Sequence, residues 1–267
     1  MSGLWRFVCG VAAACLLSAA ANATDVLVVS VKPYEKIVAK FMPTAKVVVM
    51  AKGDPHTYEP TPSQMRQISR AKAFFGVGID YEGAWLPRFK ELNPTLAAFD
   101  VSSGVKKFED DPHIWLDPVL LSHSAENIAK NLASLYPEKK QEFQKVLAEL
   151  KREFAALDAR VAEILKGSKG KAFVVFHPSL SYFAARYGLE QIGVEEEGKE
   201  IKPSDIALIE QSAKSKGVKI VISEPGHSPR VLKNIARNIG AKIHPLDQLS
   251  GEIEKQIENL AKIIAAN

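Results

Sequence analysis

Five short runs of continuous apolar residues, separated by helical patterns, restrict this chain to an α/β architecture. The runs are Val26-Leu27-Val28-Val29, Val47-Val48-Val49-Met50, Phe74-Phe75-Gly76-Val77, Phe173-Val174-Val175-Phe176 and Ile220-Val221-Ile222. None of them alternates polar with apolar, so each predicts a strand buried on both faces, as in a parallel sheet covered by helices. Helical patterns over residues 62–70, 118–135, 204–216 and 229–238 lie between the runs. Alternating β and α segments of this kind imply parallel strands joined by right-handed crossovers.

The middle of the chain breaks that rhythm. Residues 137–167 form one long helical pattern whose apolar positions Phe143, Leu147, Leu150, Phe154, Leu157, Val161 and Ile164 are spaced alternately four and three apart. That spacing is a narrow apolar seam on one helix face. At ~1.5 Å per residue the helix would be about 46 Å long. Only about three heptads are present and βα units flank them, so an interlobe helix fits better than a coiled coil. The expected fold is therefore two Rossmann-like βα lobes, residues 24–136 and 168–267, joined by a rigid helix over 137–167.

The first 23 residues read as an export signal. Arg6 is their only charge, an apolar run extends from Phe7 to Leu17, and small residues lead to Ala21-Asn22-Ala23. A basic start, a short apolar core and an A-x-A end predict cleavage after Ala23 and a periplasmic location. The run falls short of the roughly 20 apolar residues that a membrane-spanning helix needs. The alanines before Cys15 leave lipid attachment there as the alternative. Both cysteines, Cys9 and Cys15, lie in this segment, so the exported chain has no disulfide or thiolate chemistry. Any metal must be held by His, Asp, Glu, carbonyl oxygen or water. Removing Arg6 from the 35 Lys+Arg leaves 34 against 31 Asp+Glu. The two signs are interspersed, with no basic run, which argues against a nucleic-acid surface; a monomer is expected.

Six histidines, His56, His113, His123, His177, His227 and His244, carry the remaining chemistry. His56 lies in Gly53-Asp54-Pro55-His56-Thr57-Tyr58-Glu59-Pro60-Thr61-Pro62, a stiff loop between a strand and a helix that Thr61, Pro62 and Gln64 would cap. Strand exits of this kind bind ligands in open α/β sheets, but on context alone His56 is equally a ligand or a surface-loop histidine. His113 sits in Asp110-Asp111-Pro112-His113-Ile114-Trp115-Leu116-Asp117-Pro118, held between carboxylates just before a helix start. His177 ends a buried strand and precedes Pro178; it is a ligand candidate or a capped core histidine. Asp247 follows the last strand and gains meaning only beside the three histidines. His123 reads as a solvated helix face, while His227 and His244 could stand behind the ligands. Glu59 and Glu224 could accept the second N–H of a ligating imidazole. Two histidines from one lobe, with a histidine and a carboxylate from the other, suit four-coordinate Zn²⁺. The site would keep a net charge near +1, less costly to enclose than a bare dication.

Four motifs then meet a family. His56-Thr57-Tyr58-Glu59-Pro60-Thr61-Pro62, Asp111-Pro112-His113-Ile114-Trp115-Leu116-Asp117-Pro118 and Phe176-His177-Pro178-Ser179-Leu180-Ser181-Tyr182-Phe183 resemble, in order, the ligand motifs of the zinc/manganese class (cluster A-I) of ABC-transporter solute-binding proteins. Glu224-Pro225 and Leu246-Asp247 resemble its closing segments. The resemblance covers essentially all of residues 24–267. It implies that His56, His113, His177 and Asp247 touch the ion, and that the protein passes it to the membrane permease of an ABC importer. In this family a histidine at the third position, here His177, accompanies zinc, and glutamate there accompanies manganese. Imidazole nitrogen also suits Zn²⁺ better than Mn²⁺. The chain departs from many zinc members in lacking a long His-rich loop before the second motif, where only Lys106-Lys107-Phe108-Glu109-Asp110-Asp111 stands. Manganese or iron capture is therefore the nearest alternative. A secreted zinc hydrolase using Glu59 as base is another, and a siderophore- or haem-binding protein a third.

Overall fold

The computed structural model describes residues 24–51, 53–55, 57–108, 111–195, 202–225 and 229–267. Two four-stranded parallel sheets account for every strand among them. In the first, β1 (Val26–Val31), β2 (Lys46–Ala51), β3 (Ala71–Gly76) and β4 (Ala97–Asp100) take the order β2-β1-β3-β4. Helices α1 (Pro33–Phe41), α2 (Pro62–Ile68) and α3 (Asp80–Leu92) make the crossovers. The second sheet repeats the order as β6-β5-β7-β8, from β5 (Ala172–Val175), β6 (Glu190–Gly193), β7 (Ile220–Ser223) and β8 (Lys242–Pro245). Its crossovers are α6 (Ser181–Tyr187), α7 (Pro203–Ser215) and α8 (Pro229–Ile239). Between the sheets run α4 (Pro118–Leu135) and α5 (Lys140–Ile164), and α9 (Ile253–Ala265) closes the chain. The expected α/β architecture of two lobes and a long helix is observed.

Burial explains which strands announce themselves. The central strands β1 and β5 are buried at every position, and β7 at all but the last, so their sequences are continuously apolar. Edge strands β4, β6 and β8 are largely half-buried or exposed, and two of them read Ala-Ala-Phe-Asp and Glu-Gln-Ile-Gly.

The long helix is shorter than its sequence pattern. Pro137–Lys139 forms a separate 3₁₀ turn, and α5 spans 25 residues, about 38 Å at ~1.5 Å per residue rather than 46 Å. At the far end, Gly167 takes a positive φ of 88°, open to glycine at no steric cost. The seam is as expected: Phe143, Leu150, Phe154, Leu157 and Val161 are buried. They do not form a bare rod. Helix α5 packs along α4 and against α1 and α9, and one continuous apolar core runs from the first sheet through these helices to Phe173, Val175, Ile220 and Ile222. The other face of the second sheet, with Ala172, Val174 and Val221, packs separately on α7 and α8. Among the described residues no helix is long and apolar enough to cross a membrane.

Candidate metal centre

The loop carrying His113 is built from its own side chains. Asp111 Oδ1 accepts the backbone N–H of His113 at 2.8 Å and lies 2.7 Å from the ring Nδ1. Burial raises the Asp111 carboxyl, but the hydrogen bond and charge of His113 outweigh it and hold its pKa below the ordinary value. Ile114–Leu116 then form a buried 3₁₀ turn, and Asp117 caps α4 by accepting the N–H groups of Val119 and Leu120 at 2.8 and 3.0 Å. Pro118 at the first helical position completes the expected cap.

The second lobe grips this loop at three points. The Tyr182 hydroxyl, on α6, donates to the Asp111 carbonyl at 2.7 Å and accepts the Phe108 N–H at 3.3 Å. Arg186, also on α6, pairs with Asp117. From the other side, the Trp115 indole N–H donates to the Gln248 carbonyl at 2.8 Å, next to Asp247.

His177 leaves the end of β5 directly opposite. Its ring centroid lies 5.0 Å from that of His113, the planes at 69°, so residues 64 positions apart in sequence meet as two imidazoles from two lobes. The His177 backbone N–H donates to Glu224 Oε2 at 3.2 Å, and the buried Ser179 hydroxyl to Glu224 Oε1 at 3.1 Å. Burial pushes the Glu224 carboxyl up to about 7 against those two hydrogen bonds. Glu224 therefore holds the backbone of His177.

The remaining expectations divide. His56 lies outside the described residues, as do His227 and residues 1–23 with Cys9 and Cys15. Downstream of His56 the capping box is present: Thr61 Oγ1 accepts the Gln64 N–H, and Gln64 Oε1 accepts the Thr61 N–H at 3.0 Å. Gln64 also accepts from the Tyr58 hydroxyl and donates to the Val49 and Met50 carbonyls at 3.1 and 2.8 Å. That side chain ties the loop's exit to the end of β2. Glu59 is exposed. Asp247 is exposed too, its Oδ1 accepting the Leu249 N–H at 3.1 Å. It opens, with Glu224, Gln256 and Asn259, onto a cavity of about 520 Å³. Among the described residues no group of three or more His, Asp or Glu side chains closes into a metal-holding cluster. His113 and His177 are thus brought together. His123 is not a solvated face: it is half-buried, and its Nε2–H donates to the Ser103 carbonyl at 2.7 Å. His244 is half-buried on β8.

Sequence reading missed Glu195, whose Oε2 lies 3.6 Å from His177 Nδ1. No local pattern marks it, because its approach depends on how β6 pairs with β5.

Known proteins resemble this chain in sequence and fold. The family model for the zinc-uptake complex component A, periplasmic, matches residues 27–267. The zinc-binding lipoprotein AdcA of Streptococcus pneumoniae is 27% identical over 260 residues, covering 88% of this chain and 52% of AdcA. The chain thus spans about half the length of that relative. The high-affinity zinc uptake system protein ZnuA of Bacillus subtilis is 28% identical over 241 residues, covering 82% of this chain and 75% of that protein. A crystal structure of ZnuA superposes with a TM-score of 0.86 at 32% identity, covering 91% of this chain and 99% of the other. The laminin-binding protein Lmb of Streptococcus agalactiae follows at 0.81 and 25%, covering 91% and 100%. With the model matched across both lobes and the helices between them, the chain belongs to the family of periplasmic A components of zinc-uptake complexes.

Proposed function

We propose that the protein captures one Zn²⁺ between its lobes and delivers it to the membrane permease of an ABC importer, without chemical turnover. The observation that carries this reading is the meeting of His113 and His177, one imidazole from each lobe, at 5.0 Å. Imidazole nitrogen is a borderline donor that suits zinc better than manganese, and an ion bound to both rings would pin the lobes together. His56 and Asp247 complete the ligand set in this reading. The names of ZnuA and AdcA, as zinc-uptake and zinc-binding proteins, support the cargo. The protein works as a monomer, exported by cleavage after Ala23, with lipid attachment at Cys15 as the alternative anchor. Its working units are residues 24–136, 137–167 and 168–267.

The test is competition between Zn²⁺, Mn²⁺ and Fe²⁺ for purified metal-stripped protein, with the retained ion identified by elemental analysis. One zinc per chain is expected. Retention of none of the three would reject metal capture, and preference for manganese would reject the cargo.

A further inference from the structure

We infer that Glu195 is the positioning residue that fixes the tautomer and aim of His177, an inference that rests on the metal-capture reading above. The backbone places it there. Strands β5 and β6 pair in parallel with Val175 opposite Gly193, and the pairing continues past the sheet. The Val194 N–H donates to the carbonyls of Val175 and Phe176 at 2.9 and 3.1 Å, and the Glu195 N–H to the Phe176 carbonyl at 2.8 Å. Gly193 permits this closeness, since a Cβ there would stand 3.0 Å from the Pro178 Cβ, inside ordinary van der Waals contact. The residues leaving the two strands, His177 and Glu195, are therefore held side by side.

The side chains complete the pair. Glu195 is 16% exposed at its side chain, and its Oε2 lies 3.6 Å from His177 Nδ1. That oxygen is buried and accepts no hydrogen bond in this structure. A carboxylate oxygen withdrawn from water is costly without a donor, and the donor it faces is the imidazole N–H. A shift of under an ångström closes the contact into a hydrogen bond of ~2.7–2.9 Å. His113 shows the closed form, with Asp111 Oδ1 at 2.7 Å from its Nδ1. Each of the two facing imidazoles thus has its own carboxylate at Nδ1, one supplied two residues away and the other by a neighbouring strand. A carboxylate at Nδ1 keeps the proton there and the lone pair on Nε2, the atom offered to the ion, and raises its basicity. Glu224 supports the same residue differently, through the backbone N–H.

The test uses the full exported chain with two readouts: Zn²⁺ affinity by competition with a chromophoric chelator, and the His177 tautomer by ¹⁵N NMR of metal-free protein. Glu195→Ala should weaken zinc binding roughly 10–100-fold and shift His177 from the Nδ1–H form towards a mixture. Glu195→Gln keeps an acceptor oxygen and should stay within about threefold of the parent with its tautomer retained. In a His177→Ala background, Glu195→Ala should cost nothing further. An unchanged affinity and tautomer in Glu195→Ala would overturn the inference. Equal losses in the Gln and Ala variants with the tautomer unmoved would also overturn it, by making Glu195 a ligand of the ion itself. Parent protein that binds no zinc would reject metal capture instead, and the tautomer would still decide the pairing.

Discussion

Replacing Trp115 by Phe should loosen the joint between the lobes while leaving each sheet intact. The indole is fully buried, with its ring edge-on to Tyr34 at 6.4 Å and 5.0 Å from the His113 ring. Its N–H is the donor to the Gln248 carbonyl across 133 residues of sequence. Phe keeps the aromatic contact and removes the donor. The stranded carbonyl costs about 1–2 kcal/mol, and the void left by the lost ring edge adds about 1 kcal/mol. For a chain of this size each kcal/mol moves Tm by roughly 2–4 °C, so a loss of about 2–3 kcal/mol lowers Tm by roughly 4–12 °C. Urea unfolding should give a lower midpoint with an unchanged slope. Zinc affinity should fall as well, because Gln248 adjoins Asp247. Trp85, half-buried on α3 beneath Arg88, supplies the control, and Trp85→Phe should cost under about 1 kcal/mol. If the two variants lose equal stability, the indole hydrogen bond does not join the lobes.

Other perturbations separate the roles of individual residues. His177→Ala should reduce zinc affinity by orders of magnitude. His123→Ala should leave affinity unchanged and cost under about 1 kcal/mol, because the exposed Ser103 carbonyl keeps the Asn127 amide as a donor at 2.9 Å; chelator competition and thermal melts will read both. Asp111→Ala should weaken zinc binding roughly 10–100-fold by releasing the His113 ring; an unaltered affinity would remove that pair from the site. Phe154→Ala should cost about 3–5 kcal/mol and move one cooperative transition, because the shared core unfolds as a unit; two transitions by circular dichroism and fluorescence would refute a shared core. Glu82 is buried and its carboxyl is raised above the ordinary value, so the folded state holds a proton that the unfolded state has released. Stability is then lost as pH rises from the unfolded value of ~4.3 towards the folded one. Relative to Glu82→Gln, the parent should lose ground in denaturant titrations as pH rises above ~4.3.

What could be read from sequence was local or continuous. Val26–Val31 and Ala172–Val175 announce themselves because burial on both faces requires apolar residues throughout. The caps at Thr61 and Asp117 are legible because the acceptor and its donors lie within three residues. Strands β4 and β6 were not legible, since edge strands half-open to water keep no apolar run. Helix α3 was hidden too: it carries Gly83 and Pro87 in its interior, both unfavourable to helix. In the site, Asp111 is visible beside His113, whereas Glu195 reaches His177 through strand pairing, and His123 reaches Ser103 through a loop that folds back. No periodicity encodes either contact.

The sheet topology also bears on the proposal that cargo is held between the lobes and not within one. Both strand orders reverse direction between the first and third strands of the lobe, and the crevice at such a reversal is where open α/β sheets usually bind ligands, commonly anionic ones. Here each crevice is already filled by the chain. In the first lobe, Glu82 accepts the N–H groups of Val77 and Gly78 at 3.0 and 2.9 Å and the hydroxyl of Ser30. It lies so close that a Cβ on Gly76 would overlap its Oε2. In the second, Glu224 takes the His177 N–H and the Ser179 hydroxyl. Donors that would otherwise cradle a phosphate or carboxylate are spent on an internal glutamate in both halves. An anionic ligand would have to displace a glutamate side chain from those donors in either crevice. In the function proposed above, two copies of an anion-binding topology are turned in this way to holding a cation at the seam where they meet.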